Sequence, residues 1–241
     1  MPDSPLVSFI IPAWNEEPLL GATLEALKEA ARHLTEPSEI IVADDASTDR
    51  TADVARQHRA HVVAVNHRQI AATRNSGARE ARGDLFIFID ADTIVSAELV
   101  RAAVEAMRAG AVGGGCAFRH SGRIPLPSRI AFDVIGSWLC RIGRFASGCF
   151  LFCTREAFEA VGGFDPGLYA AEEATMSRRL RRHGRFVMLR QCALPSGRKM
   201  RTHSFFEMLA QLYLIALGGR AYLSDRKGKD IWYGERRPDP D

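Results

Sequence analysis

The chain has 241 residues, 46% of them hydrophobic, enough to bury one large core in one domain with a short extension. Charged residues make up 25% and nearly balance to a formal charge of +3, which excludes a polybasic nucleic-acid tail and an acidic disordered segment, so no nucleic-acid partner is expected. No apolar run reaches the roughly 18 residues of a membrane span, and Met1 to Pro5 carries neither the basic region nor the apolar stretch of a secretion signal.

Val7 to Ile11 is a short apolar run closed by Pro12, and Pro18 to Arg32 then places Leu19, Leu20, Leu24 and Leu27 at helical spacing. Ile40 to Ala43 reads as a second strand. Ser47 to Asp49 supplies capping side chains for a helix over Thr51 to His58. Val62 to Val65 and Leu85 to Ile89 are further strands, with a helix over Ile70 to Arg82 between them. The run Leu85 to Ile89 is apolar throughout, as expected of a strand covered on both faces. This alternation predicts a mainly parallel α/β sheet with right-handed crossovers, whose site lies at the carboxyl ends of the strands.

The second half is less regular. Gly113 to Gly115 breaks the pattern, Pro125 and Pro127 predict a loop, and Ser147 to Phe152 reads as a strand. A helix is expected from Glu172 or Glu173 to His183. Ser204 to Leu217 is the most apolar helical stretch, for which core packing is the default, and Asp225 to Asp241 is a charged, Pro-containing tail. The five cysteines, Cys116, Cys140, Cys149, Cys153 and Cys192, lack paired zinc-site spacing and read as buried thiols in a reducing cytosol.

The polar residues cluster where the strands end: Asn15 and Glu16 after the first, Asp44 and Asp45 after the second, Asp90 and Asp92 after the fourth. A carboxylate of the Asp90-Ala91-Asp92 triplet suits a hard divalent cation, magnesium or manganese, whose shell is completed by water and substrate phosphate. Taken alone the triplet is also what a turn would use for capping. An Asp at 44 or 45 could accept the N–H of a pyrimidine base, and Arg74 could set its guanidinium against a base or phosphate.

Val7-Ser8-Phe9-Ile10-Ile11-Pro12-Ala13-Trp14-Asn15-Glu16-Glu17, Asp44-Asp45-Ala46-Ser47-Thr48-Asp49, Arg74-Asn75-Ser76-Gly77 and Asp90-Ala91-Asp92 together resemble the family 2 glycosyltransferases. The resemblance implies a GT-A fold: a Rossmann-like, mainly parallel central sheet flanked by helices, here with a C-terminal acceptor-side helical extension. It also implies a nucleotide-sugar donor, usually UDP-linked, a divalent metal, Mn2+ or Mg2+, and inversion at the anomeric carbon. Carried over, Pro12, Ala13, Asn15, Glu16, Asp44, Asp45, Arg74, Asp90 and Ala91 line the nucleotide-sugar site. Asp44 or Asp45 then meets the base, Asp90 lies near the ribose, and Asp92 ligates the metal.

In that family a later acidic pair supplies the general base. Here Gly162-Gly163-Phe164-Asp165 leads to Glu172-Glu173, and Glu173 stands where the family usually has Asp. A Glu can take the acceptor hydroxyl's proton with one methylene more reach. Glu172 is then an acceptor-binding or structural residue, although both acids also suit a first helical turn.

Arg178, Arg179, Arg181, Arg182 and Arg185 crowd the following helix, where a solvated basic face is expected. In Ser196 to His203, Arg198 or Lys199 could hold the diphosphate, and His203 is a weaker candidate left outside the metal set. The rival to core packing for 204–217 is an amphipathic surface on a membrane that meets a lipid-linked acceptor, with Arg220 and Arg226 near headgroups. The expected location is cytoplasmic or the inner face of a membrane, and the acceptor a saccharide or a lipid-linked molecule.

The reading divides the chain into a nucleotide-sugar-binding half over 1–110, an acceptor and catalytic-base half of the same domain over 111–203, and a C-terminal helix and tail over 204–241. Gly-rich dinucleotide and P-loop cradles are absent, as is a Ser-hydrolase elbow. The main alternative is a degenerate domain of the same fold that binds a nucleotide sugar or a protein partner without turnover.

Overall fold

The computed structural model describes residues 6–237 and 239, so the expectation for Met1 to Pro5 and the last residues of the tail lie outside the described residues. The first half alternates as expected: β1 (Val7–Ala13), α1 (Glu17–Arg32), β2 (Ser38–Asp45), α2 (Thr51–Gln57), β3 (His61–Val65), α3 (Ile70–Glu80) and β4 (Leu85–Ile89). Pro18 stands in the first turn of α1, where no N–H is needed, and Leu20, Leu24 and Leu27 form its buried face. Truncating one of those leucines to Ala is worth about 2–5 kcal/mol.

The second half adds β5 (Thr93–Ile94), α4 (Ala97–Arg108), β6 (Gly113–Phe118), α5 (Leu126–Ser128), wide π-type turns over Arg129–Ile135, α6 (Gly136–Gly143), β7 (Phe150–Thr154) and α7 (Arg155–Ala160). It ends with α8 (Glu172–His183), β8 (Phe186–Pro195), α9 (Arg198–Thr202), α10 (Phe205–Leu217), α11 (Gly219–Leu223) and α12 (Asp230–Tyr233). All eight strands join one sheet in the order β3-β2-β1-β4-β7-β6-β8-β5. The β3-β2-β1-β4 half is parallel, and antiparallel β7 marks the change to a mixed second half.

Side chains alternate across the sheet. Phe9, Ile11, Ile87 and Phe152 face α1 and α4, while Ile10, Ile41, Phe86 and Phe88 face α3, α7 and α8. Both faces are therefore dry, which explains why β4 reads as an unbroken apolar run.

Three expectations are corrected. Gly113 to Gly115 does not interrupt the fold but begins strand β6 between β7 and β8. Its glycines are there for space: a Cβ on Gly114 would lie 2.2 Å from the Val187 carbonyl and one on Gly115 2.6 Å from Ala146 Cβ. The loop expected at Pro125 and Pro127 is the start of a helical arm over residues 126–143, with Pro125 and Pro127 at its amino end.

The third concerns the carboxyl-terminal part. Within the described part of the tail, Ile231 and Tyr233 are buried, and the Arg236 guanidinium donates to the Trp14 carbonyl at 3.0 Å. Conversely α10 has no buried residue, so core packing does not hold for 204–217. Its start is nonetheless well specified, since the Glu207 N–H donates to the Ser204 hydroxyl at 3.2 Å while the Ser204 N–H donates to the Glu207 carboxylate at 2.7 Å. No helix among the described residues is long and apolar enough to cross a membrane.

Candidate active site

The turns after β1, β2 and β4 meet at the carboxyl edge of the parallel strands. Asn15 adopts a left-handed backbone, with φ of 50°, and ties the first turn to the second. Its N–H donates to the Ser47 hydroxyl at 2.9 Å and its side-chain carbonyl accepts the Thr48 N–H at 2.8 Å. The Glu16 N–H donates to the Thr51 hydroxyl at 2.8 Å. Asn15 thus shapes the cleft wall.

Asp44 and Asp45 play different parts. Both oxygens of Asp45 are engaged: Oδ1 accepts the N–H groups of His67 and Arg68 at 2.6 and 2.8 Å, and Oδ2 accepts the Gln69 N–H at 3.1 Å and the Thr73 hydroxyl at 2.7 Å. Asp45 therefore holds the entry to α3. Asp44 is buried beside Ala13, and its Oδ1 has no partner among the described residues. Of the two, Asp44 keeps an acceptor for a ligand N–H.

The Asp90-Ala91-Asp92 turn is fixed through its backbone. The Thr93 N–H donates to the Asp90 carbonyl at 3.1 Å, the Thr23 hydroxyl to that of Ala91 at 2.9 Å, and the Ser196 N–H to that of Asp92 at 2.9 Å. This leaves the two carboxylates for the site. Asp92's carboxylate has only a 3.4 Å contact with the Thr93 hydroxyl, and it remains half-buried. No group of three His, Cys, Asp or Glu side chains that could hold a metal forms among the described residues. A carboxylate on a fixed turn, with no strong hydrogen bond among the described residues, can bind magnesium or manganese whose shell is otherwise water and phosphate. The donor set fits such an ion.

Arg74 is the hub. Although it sits on α3 among small residues, only 2% of it is exposed. Nη2 donates to Asp90 Oδ1 at 2.8 Å and to the Gly148 carbonyl at 3.0 Å, and Nη1 donates to Glu173 Oε1 at 2.7 Å and Glu172 Oε1 at 3.3 Å. Its guanidinium is thus turned inward to join the β4 turn to the start of α8, not left open for a base. Burial raises the Asp90 carboxyl, while Arg74 pulls it back and Asp92 pushes it up again. Burial, with the adjacent Glu173 charge, drives Glu172 well above the usual carboxylate range, against the pull of Arg74.

Glu173 is less buried than Glu172 and only its Oε1 is held by Arg74. A Cβ at position 148 would come within 2.5 Å of Glu173 Oε1, so Gly148 permits this approach. The neighbouring Asn75 does not enter the site: it exchanges hydrogen bonds with the Phe164 backbone at 2.8 and 3.0 Å, anchoring the segment that precedes α8. The arginines of α8 also stay away, Arg179 pairing with Asp165 at 3.3 Å and Arg181 reaching the Gly143 carbonyl at 2.8 Å.

A basic wall faces the carboxylates. Arg198 donates to Glu16 Oε1 at 2.8 Å, Arg236 forms an ion pair with the same oxygen at 2.6 Å, and both charges also act on Asp92. The Lys199 charge acts on Asp90. Among the described residues His203 falls in no metal-holding group; its Nδ1 lies 3.0 Å from the Thr202 hydroxyl, and burial with Arg237 holds its pKa below normal. Arg236 and Trp14 were missed as a pair: the guanidinium groups of Arg68 and Arg236 lie 3.4 and 5.0 Å from the Trp14 ring centroid. No local pattern marks a tail arginine for that position.

The model of glycosyl transferase family 2 matches residues 8–162, which carry the parallel strands, both carboxylate turns and Arg74. The chain belongs to that family. As a family 2 glycosyltransferase it is similar to the validoxylamine A glucosyltransferase of Streptomyces hygroscopicus subsp. limoneus, 35% identical over 134 residues. That alignment covers 51% of this chain and only 29% of the relative's length. Among solved structures, the mannosyltransferase PcManGT of Pyrobaculum calidifontis, in complex with GDP-Man and Mn2+, shares the fold with a TM-score of 0.64 at 20% identity, covering 89% of this chain and 65% of that one. The glucosyl-3-phosphoglycerate synthase of Mycobacterium tuberculosis, in complex with Mn2+ and UDP, does so with a TM-score of 0.62 at 22% identity, covering 92% and 82%. The family is one of glycosyl transferases, and the solved structures show that this chain has their GT-A fold.

Of the five cysteines, Cys116, Cys140, Cys149 and Cys153 are buried as expected, and Cys192 is exposed. None forms a disulfide among the described residues.

Proposed function

We propose that this family 2 glycosyltransferase moves a sugar from a UDP-linked donor to an acceptor hydroxyl with inversion, using a divalent metal at Asp92 and Glu173 as the general base. The observation that carries this reading is Arg74, one guanidinium holding Asp90 of the donor turn and Glu173 of the acceptor side at 2.8 and 2.7 Å. Such a bridge sets the carboxylate that takes a proton at a fixed distance from the carboxylates beside the leaving group.

In this reading Asp44 accepts the base N–H through its unpartnered oxygen, and Asp45 keeps the wall in place. Asp92 would hold the divalent ion, which when bound neutralises charge on the departing diphosphate. Arg198 and Lys199 provide further positive charge on that side. Glu173 receives the acceptor hydroxyl's proton as that oxygen attacks the anomeric carbon from the face opposite the diphosphate. Because Arg74 holds Oε1, the other oxygen of Glu173 is the one offered to the acceptor. Glu172, buried behind it, positions Arg74.

The test is calorimetric binding of UDP, GDP and ADP with manganese and then with chelator, to the wild type and Asp92→Ala. Manganese-dependent binding of UDP that Asp92→Ala loses supports the reading. Preference for another nucleotide overturns the donor assignment, and chelator-insensitive binding overturns the metal.

A further inference from the structure

All thirteen exposed large hydrophobic side chains among the described residues fall in two segments, seven in 126–142 and six in 206–217. In the arm, Val134, Trp138 and Ile142 recur every four residues and are 62%, 59% and 62% exposed. Phe206, Tyr213 and Leu217 continue the pattern on α10 at 78%, 65% and 66%. Each segment thus turns one continuous apolar stripe outward. The two are in contact, the Phe132 and Phe205 rings lying 6.0 Å apart.

The charges around this surface are mostly basic. Residues 119–144 contain five arginines and a single acid, Asp133, which is buried and bonded to His120 at 2.6 Å. Arg123, Arg141 and Arg144 are exposed at the ends of the arm. In 204–226 the acids are Glu207, which caps its own helix, and Asp225, which accepts the Lys227 N–H, while Arg226 and Arg220, the latter paired with Asp165 at 3.3 Å, are exposed beyond α10. Two copies stacked through this face would bring these cations together. An apolar face with a cationic rim instead matches the acyl boundary and headgroups of an anionic bilayer.

We infer that the arm over 126–143 and α10 together form a docking face for an anionic lipid surface, which brings an acceptor held at that surface to Glu173. This rests on the proposed transfer reaction for its second half only. Both segments leave from the rim of the site. The arm starts beside Ser121, whose carbonyl accepts the Gly197 N–H at 3.1 Å next to Arg198, and returns at Gly148, whose carbonyl binds Arg74. Helix α10 follows directly on α9, which carries Arg198 and Lys199.

The full chain is sedimented with vesicles of phosphatidylglycerol and phosphatidylcholine, or of phosphatidylcholine alone, and Trp138 insertion is read from quenching by brominated lipid. The expected result is binding to the anionic vesicles that weakens with salt, and quenching that Trp138→Phe abolishes. Trp138→Ser with Phe206→Ser should lower partitioning by at least about tenfold, since each side chain loses its apolar transfer energy. Circular dichroism and the melting temperature of the same variant report that it is folded. Failure of folded wild type to bind anionic vesicles, unchanged binding by the variant, or a dimer that buries Trp138 and persists with vesicles would each overturn the inference. A failed UDP experiment would instead remove the proposed donor and leave the vesicle result standing.

Discussion

Glu16, in the turn after the first strand, and Arg198, 182 positions later, meet at 2.8 Å in a buried pair that Arg236 joins. Three distant parts of the chain therefore close one wall of the site. Glu16→Ala leaves two guanidinium groups without their carboxylate and is expected to lower stability by about 3–5 kcal/mol, read as a shift in the urea midpoint. Arg236→Ala should fold normally and bind a nucleoside diphosphate at least about tenfold less tightly, because a charge-assisted donor is lost.

The two aspartates after β2 should separate cleanly. Asp45→Ala removes the acceptor for three backbone N–H groups and a hydroxyl, so it is expected to unfold at lower temperature. Asp44→Ala should keep its melting temperature and lose nucleotide affinity. Calorimetry on the pair reads both outcomes.

Glu173→Gln is expected to leave donor binding within about twofold and to lower kcat by about 10²–10⁴, the range of general-base catalysis. Gly148→Ala provides an independent check. Its Cβ would push against the far end of the Glu173 side chain, which can move, so the protein should fold and lose kcat without losing donor affinity.

Glu172 gives a pH dependence with a definite sign. Burial raises its folded-state pKa, so between the unfolded value, about 4.3, and that raised value the folded chain binds more protons than the unfolded one. Stability is therefore lost as pH rises through this window, by no more than about 1.4 kcal/mol per pH unit for one proton. Melting temperatures of wild type and Glu172→Gln measured from pH 5 to pH 9 should diverge, with the variant gaining relative to wild type as pH rises.

Where a local pattern carries the structure, the sequence was readable. Leu85 to Ile89 and Glu172 to His183 sit within their expected bounds because an all-apolar run and an acidic first turn are local signals. Strand β6 was hidden since its glycines exist to make space for neighbours, which no periodicity records. The same holds in the site. Asp90, Asp92 and Glu173 stand out by type and position, but the role of Arg74 depends on partners 16, 98 and 99 positions away. Likewise Asp44 and Asp45 are indistinguishable until the backbone N–H groups that occupy Asp45 are in place.

The inward-facing Arg74 also limits how this enzyme can be recombined. A chimera that takes residues before β6 from one family member and the remainder from another inherits a buried guanidinium from the first and its two glutamates from the second. Should the incoming half lack an acid at position 173, the buried cation loses its 2.7 Å partner and part of its countercharge. Halves from two relatives are thus expected to combine only where Arg74, Asp90 and Glu173 stay matched.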